Sequence, residues 1–125
     1  MTFVLVHGGW PYEREVALMT AFKKVYLDTS FQSEMPYPSQ FKDVLKQLLM
    51  QYPDKMMYGS DAFPFNDALG AEKSLWLAAR RTTRTGLAAA LAELMVEGAV
   101  TEAKALELAR NYLHDNAARL CGEKK

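Results

Sequence analysis

The sequence predicts an α/β protein in which three short parallel strands alternate with crossover helices, followed by a helical extension. Three observations predict it. Short apolar runs occur at Phe3–Val6, Val25–Ser30 and Lys55–Tyr58; amphipathic stretches separate them; and helical patterning takes over after residue 69. The resulting order, β-α-β-α-β and then helices, requires parallel strands with right-handed crossovers. At 125 residues the chain makes a single domain, 1–125, divided into a βαβαβ part, 1–69, and a helical extension, 70–125.

Each element has its own signal. Phe3–Val6 is continuously apolar and ends at His7-Gly8-Gly9, as suits a parallel strand buried on both faces. Glu13–Lys24 follows as a helix whose apolar stripe is Ala17, Leu18, Ala21 and Phe22. Val25–Ser30, "VYLDTS", is the second strand. Pro36 and Pro38 mark a turn, with Pro38 at the start of a helix over Ser39–Gln51. There Phe41, Val44, Leu45, Leu48 and Leu49 recur at helical spacing, and Tyr52-Pro53-Asp54 stops the run before the third strand. Glu72–Val96 reads as one long helix, or two joined near Gly86, with Gly98 ending it. Thr101 is placed to cap a last helix, and Ala105, Leu106, Ala109, Tyr112 and Leu113 form its expected buried stripe.

Composition narrows the function classes. Hydrophobic residues make up 50% of the chain, enough for a core and against disorder. Lys and Arg number 15 and Asp and Glu 15, so no net field recruits nucleic acid or an anionic membrane. The single cysteine, Cys121, cannot form an intrachain disulfide, which suits a reducing compartment. No apolar run reaches the ~18 residues that span a bilayer. The first residues have no basic region and no small-residue cleavage site, so they do not read as a signal peptide. The expectation is a soluble cytoplasmic protein.

The chemistry sits where parallel sheets place it, at the carboxyl ends of the strands. The first strand ends on His7, the second carries Asp28 and Ser30, and the third runs through "MMYGSDAFPF" into Asp61. His7 and Asp61 are about 54 positions apart, two βα units of ~27 residues against ~31 per unit in an eight-unit barrel. That spacing fits two strands separated by one neighbour in a (β/α)₈ (TIM) barrel, of which this chain supplies three strands. On residues alone, Asp61 is either a helix N-cap or a site carboxylate, and His7 either a ligand or base or a histidine bonded to backbone. Asp28 and Ser30 read best as groups that cap a strand end or bond the loop. Trp10, Phe63 and Phe65 can line a pocket or pack its mouth. Arg80, Arg81 and Arg84 read as a solvated helix face or a partner contact.

The segments "FVLVHGGWP", "VYLDTSF" and "MMYGSDAFPF", in that order and spacing, with "NAARLCG" near the end, resemble the C-terminal part of the amidohydrolase superfamily. The similarity is to the amidohydrolase-related branch of metal-dependent barrel hydrolases and decarboxylases. It covers essentially the whole chain, from the sixth barrel strand through the eighth and the terminal helices. The resemblance implies that Asp61 is a metal ligand that handles the proton of the attacking water. It implies that His7, at the end of the sixth strand, polarises substrate, orients water or ligates metal. Trp10, Ser30 and Phe63 are the candidate substrate-binding residues. The implied cofactor is a divalent metal, zinc, which lowers the pKa of its bound water to ~7. The implied activity is hydrolysis, or decarboxylation in the same branch, of a small carboxylate or amide substrate.

The first-strand His-x-His pair, the fourth-strand ligand and the fifth-strand histidine of that pattern are absent; the only other histidine is His114. A catalytic zinc ordinarily takes three protein ligands, and this chain offers two. The expectation is therefore a fragment, a truncated gene product or one piece of a split enzyme, inactive when isolated. The alternative is a non-catalytic remnant or interaction module. Two open sheet edges would pair it with itself, as a homo-oligomer, or with a complementary N-terminal barrel half. "FVLVHGGW" alone also resembles the oxyanion-loop strand of α/β-hydrolases, but no Gly-x-Ser-x-Gly elbow follows.

Overall fold

The structure is a computed structural model in which residues 1–31, 38–61, 73, 76 and 82–122 are described. Three strands, β1 (Phe3–Leu5), β2 (Val25–Asp28) and β3 (Met56–Met57), form one parallel sheet in the order β1-β2-β3. Phe3 lies opposite Val25, Leu5 opposite Leu27, and Leu27 opposite Met56. The helices are α1 (Glu13–Thr20), α2 (Pro38–Gln51), α3 (Arg84–Val96), α4 (Glu102–Arg110) and α5 (Asn116–Cys121), with a π turn at Asn111–Asp115 between the last two. This is the expected mixed α/β architecture with parallel strands and crossover helices. Among the described residues no helix is long and apolar enough to cross a membrane.

The core lies between the sheet and α2, α3 and α4. Phe41, Leu45, Leu48 and Leu49 of α2 are buried as their spacing predicts, against Leu27, Met56, Leu87, Ala90, Leu91, Leu94 and Leu108. Along the rim of the α2–α3 contact, Lys42 meets Glu93 at 2.5 Å, and Lys46 bonds Glu93 at 3.3 Å and also Glu97. α3 ends in a Schellman turn: Gly98, at φ 71°, donates to Met95 O at 3.0 Å, and Ala99 donates to Leu94 O at 2.9 Å. Thr101 caps α4 as expected, its side chain accepting from Lys104 N at 3.2 Å. Lys55, just before β3, donates to the carbonyls of Thr20 and Phe22 at 2.7 Å each and so closes the end of α1.

Several expectations are corrected. β1 is not buried on both faces: Phe3 is 52% and Val4 41% exposed, and among the described residues β2 is its one strand neighbour. The strands are shorter than their apolar runs, so His7 and Ser30 lie just past the strand ends. Helix α1 ends at Thr20, and Leu18 (73% exposed), Met19 and Phe22 (69%) face outward while Val16, Ala17 and Thr20 pack inward. In the last helices the buried face is Ala105, Leu108 and Tyr112 with Asn111, Asp115 and Asn116, whereas Leu106 and Leu113 are exposed. The reason is polar: Asn116 Nδ2 donates to Met56 O at 2.6 Å and to Pro53 O at 2.9 Å, so an amide occupies a place expected of a hydrophobe. The expected start of the long helix at Glu72, the Pro36 turn and the Arg80-Arg81 pair lie outside the described residues.

Asn116 anchors the C-terminal helices to β3, and its loss has a measurable expectation. Asn116→Ala leaves two carbonyls without their donor and opens a small void, which costs about 2–4 kcal/mol of unfolding free energy. Urea denaturation of the two proteins measures it; a change below about 0.5 kcal/mol, the scale of ordinary surface changes, would show that the anchor is dispensable.

Candidate functional site

The three strand ends come together at one end of the sheet, with β1 and β3 flanking β2. His7 follows β1, Asp28 and Ser30 lie at the end of β2 between the outer strands, and Asp61 comes four residues after β3. Each strand is followed by a non-glycine residue with left-handed backbone: His7 (φ 62°), Phe31 (φ 63°) and Asp61 (φ 51°). Such residues each cost on the order of 1–2 kcal/mol and cluster at functional sites. His and Asp are among the types that tolerate this region; Phe31 is not, and nothing in its sequence context marks it.

The β1 end is a tight turn, Val6–Gly9, with Gly8 buried in it. Gly9 is at φ 70°, and a Cβ there would stand 2.0 Å from Val16 Cγ2, so only glycine lets the turn lie against α1. This turn presents the His7 ring, which meets Phe31 edge-on at a centroid distance of 5.6 Å. His7 Nδ1 lies 3.1 Å from Ser30 O and 3.3 Å from Ser30 Oγ. Asp28 Oδ1 accepts from His7 N–H at 3.2 Å, from Ser30 N–H at 2.9 Å and from the Ser30 hydroxyl. Asp28 and Ser30 thus do cap the strand ends and bond the loop. Ser30, expected on the substrate side, has its hydroxyl engaged by Asp28 and His7.

Between them Thr29 turns the other way and is fully buried, its Oγ1 2.5 Å from Tyr112 Oη. Burial pushes the Tyr112 phenol well above its ordinary value, so it stays neutral. Tyr112 O also accepts from Tyr58 N–H at 2.9 Å. The π turn therefore clasps the ends of β2 and β3 from the helix side, a support that the sequence marked only as a buried position. Gly59 completes the approach: a Cβ there would lie 2.7 Å from Ser30 Cβ, so the β3 end packs directly on the β2 end.

Asp61 is exposed, and it makes no hydrogen bond or ion pair within the described residues. Its φ of 51° is not the extended conformation of an N-cap, which weakens the capping alternative. Trp10 is 40% exposed and lines a cavity of about 330 Å³ with Pro11, Gln40, Phe41 and Val44, where α1 and α2 begin. In a βα unit the helix starts beside the strand's carboxyl end, so this cavity opens at the same end of the fold as His7. Phe63 and Phe65 lie outside the described residues.

For a metal, the donor chemistry fits in part. His7 holds one ring nitrogen against a carbonyl and leaves the other available, the arrangement that ligating histidines have; Asp61 adds a carboxylate. No group of three or more His, Cys, Asp or Glu that could hold a metal ion occurs among the described residues. Two donors are one short of a catalytic zinc set.

A family model described as amidohydrolase matches residues 1–122. No curated protein and no solved structure matches the chain. With all but its last few residues matched, the chain belongs to the amidohydrolase family.

Proposed function

We propose that this amidohydrolase-family chain carries the strand-end portion of a metal-dependent hydrolase site built on part of a (β/α)₈ barrel. The substrate class is a small carboxylate- or amide-bearing molecule, cleaved by hydrolysis or decarboxylated. The observation that carries the proposal is His7: its Nδ1 is bound to Ser30 at the strand end, with Asp61 one strand beyond. The metal, zinc in this proposal, would be held by His7 Nε2 and the Asp61 carboxylate together with donors beyond this pair. When bound it supplies Lewis acidity and a more acidic water. Asp61, a carboxylate with no competing partner among the described residues, accepts the proton released by the attacking water. His7 orients the substrate carbonyl or the water, its ring held by Ser30 and Phe31. Trp10 supplies an apolar wall against a small substrate. Turnover of amide and carboxylate substrates with added zinc, by the chain reconstituted with its complementary barrel half, comparing native Asp61 with Asp61→Asn, tests the assignment. Equal rates would sink it.

A second reading, assembly with another polypeptide, is favoured by a specific observation. Beside β1, whose outer edge has no strand partner among the described residues, the exposed Met19 and Phe22 line a cavity with Phe3 and Leu5. An unpaired strand beside uncovered hydrophobes is a pairing template. We propose that it is covered by further βα units, from a second copy or a complementary barrel half. Light scattering of the purified chain at micromolar concentration is expected to give a dimer or larger species, reduced by Phe22→Glu. A monodisperse monomer counts against self-assembly.

A further inference from the structure

Asp28 sits between the two groups assigned to the chemistry yet has no role in it so far. We propose that Asp28 is a positioning residue that, through Ser30, fixes His7 as the Nδ1–H tautomer and so leaves Nε2 as the basic nitrogen of the strand-end site. The inference deepens the proposed function but does not depend on turnover.

The hydrogen-bond logic is closed. Asp28 Oδ1 receives the Ser30 hydroxyl proton, since a carboxylate oxygen can only accept. With its proton committed there, Ser30 Oγ turns lone pairs toward His7 Nδ1 at 3.3 Å. The second neighbour of Nδ1, the Ser30 carbonyl at 3.1 Å, is also only an acceptor. Both atoms facing Nδ1 accept, so Nδ1 carries the proton and Nε2 the lone pair. Asp28 acts a second time on the backbone. Its bond from His7 N–H at 3.2 Å holds the residue in its left-handed conformation, φ 62°, against the strain of that region. Without Asp28 the serine hydroxyl can turn round and donate to Nδ1, and the loop can relax. The ring is then free to adopt the Nε2–H form that histidine favours in water.

A residue that merely capped the strand end would affect stability and leave the tautomer alone. The two roles therefore separate in imidazole ¹⁵N–¹H correlation spectra of the labelled chain, recorded near pH 8, above the ordinary histidine value of ~6.5. The chain has 2 histidines, so His114→Gln identifies the His7 signals. The native protein is expected to show protonated Nδ1 and unprotonated Nε2 at His7. Asp28→Ala is expected to bring in the Nε2–H form at His7, as the freed Ser30 hydroxyl donates to Nδ1, while Asp28→Asn, which keeps an acceptor oxygen, retains the native pattern. Ser30→Ala, which removes the hydroxyl that could turn and donate but keeps the Ser30 carbonyl against Nδ1, is expected to retain the protonated Nδ1. Thr29→Val, which breaks the buried bond to Tyr112, is expected to lower stability with the tautomer unchanged. A native His7 in the Nε2–H form, the Nε2–H form in Ser30→Ala, or a native-like pattern in folded Asp28→Ala overturns the proposal. No substrate or metal is used, so a chain without hydrolytic turnover leaves the tautomer result standing, and a wrong tautomer leaves the turnover assay to decide the proposed function.

Discussion

Asp61→Asn is expected to lower kcat of the assembled, metal-supplied protein by about 10²–10⁴, the contribution of one positioned acid–base group. The substitution keeps the shape of the side chain and removes its ability to take a proton at neutral pH. Fold and solubility should be little altered, because Asp61 is exposed and makes no hydrogen bond or ion pair among the described residues. Asparagine also tolerates left-handed backbone about as well as aspartate, so the φ of 51° does not penalise the variant. The measurement is steady-state turnover with zinc at saturating substrate, alongside a denaturation curve to show unchanged stability. A fall in stability with unchanged kcat would make residue 61 a structural aspartate.

Phe41→Ala should be the most damaging single truncation of the core, at about 3–5 kcal/mol. Phe41 is fully buried at the start of α2, and a Cβ added at Gly86 of α3 would come within 2.9 Å of its Cδ1. The ring therefore fills the space between these helices, and α3 cannot easily slide in to close the void. Against the 5–15 kcal/mol that typical domains possess, the loss takes much of the margin. Urea unfolding followed by circular dichroism measures it; a loss under about 1 kcal/mol would mean that α3 collapses onto α2 without difficulty.

What was legible in the sequence, and what was not, follows from how each signal arises. Phe41, Leu45, Leu48 and Leu49 were readable because one helix face and one core coincide. The parallel sheet was readable from element order, and parallel topology then put His7, Asp28, Ser30 and Asp61 at a common end. Leu18 and Phe22 were misplaced because an apolar stripe says that a face favours cover, not which neighbour supplies it. Leu106 and Leu113 were preferred over Asn111 and Asn116 for the buried face because hydropathy ignores paired amides; only the Met56 and Pro53 carbonyls make Asn116 a favourable buried residue. The joint between Asp28, Ser30 and His7 depends on a left-handed turn after β1. The "HGG" run permits that turn without specifying it.

Zinc binding to the chain tests most directly whether the strand ends form one metal-dependent site. Isothermal titration of the native protein with zinc is expected to give binding of about 1 μM or weaker, near −8 kcal/mol, below the ~10–16 kcal/mol of complete structural zinc sites. His7→Ala and Asp61→Asn should each weaken it at least about tenfold, and His114→Gln should not. Binding that survives both of the first two substitutions, or that disappears with His114→Gln alone, would contradict the assignment of His7 and Asp61 to a common site.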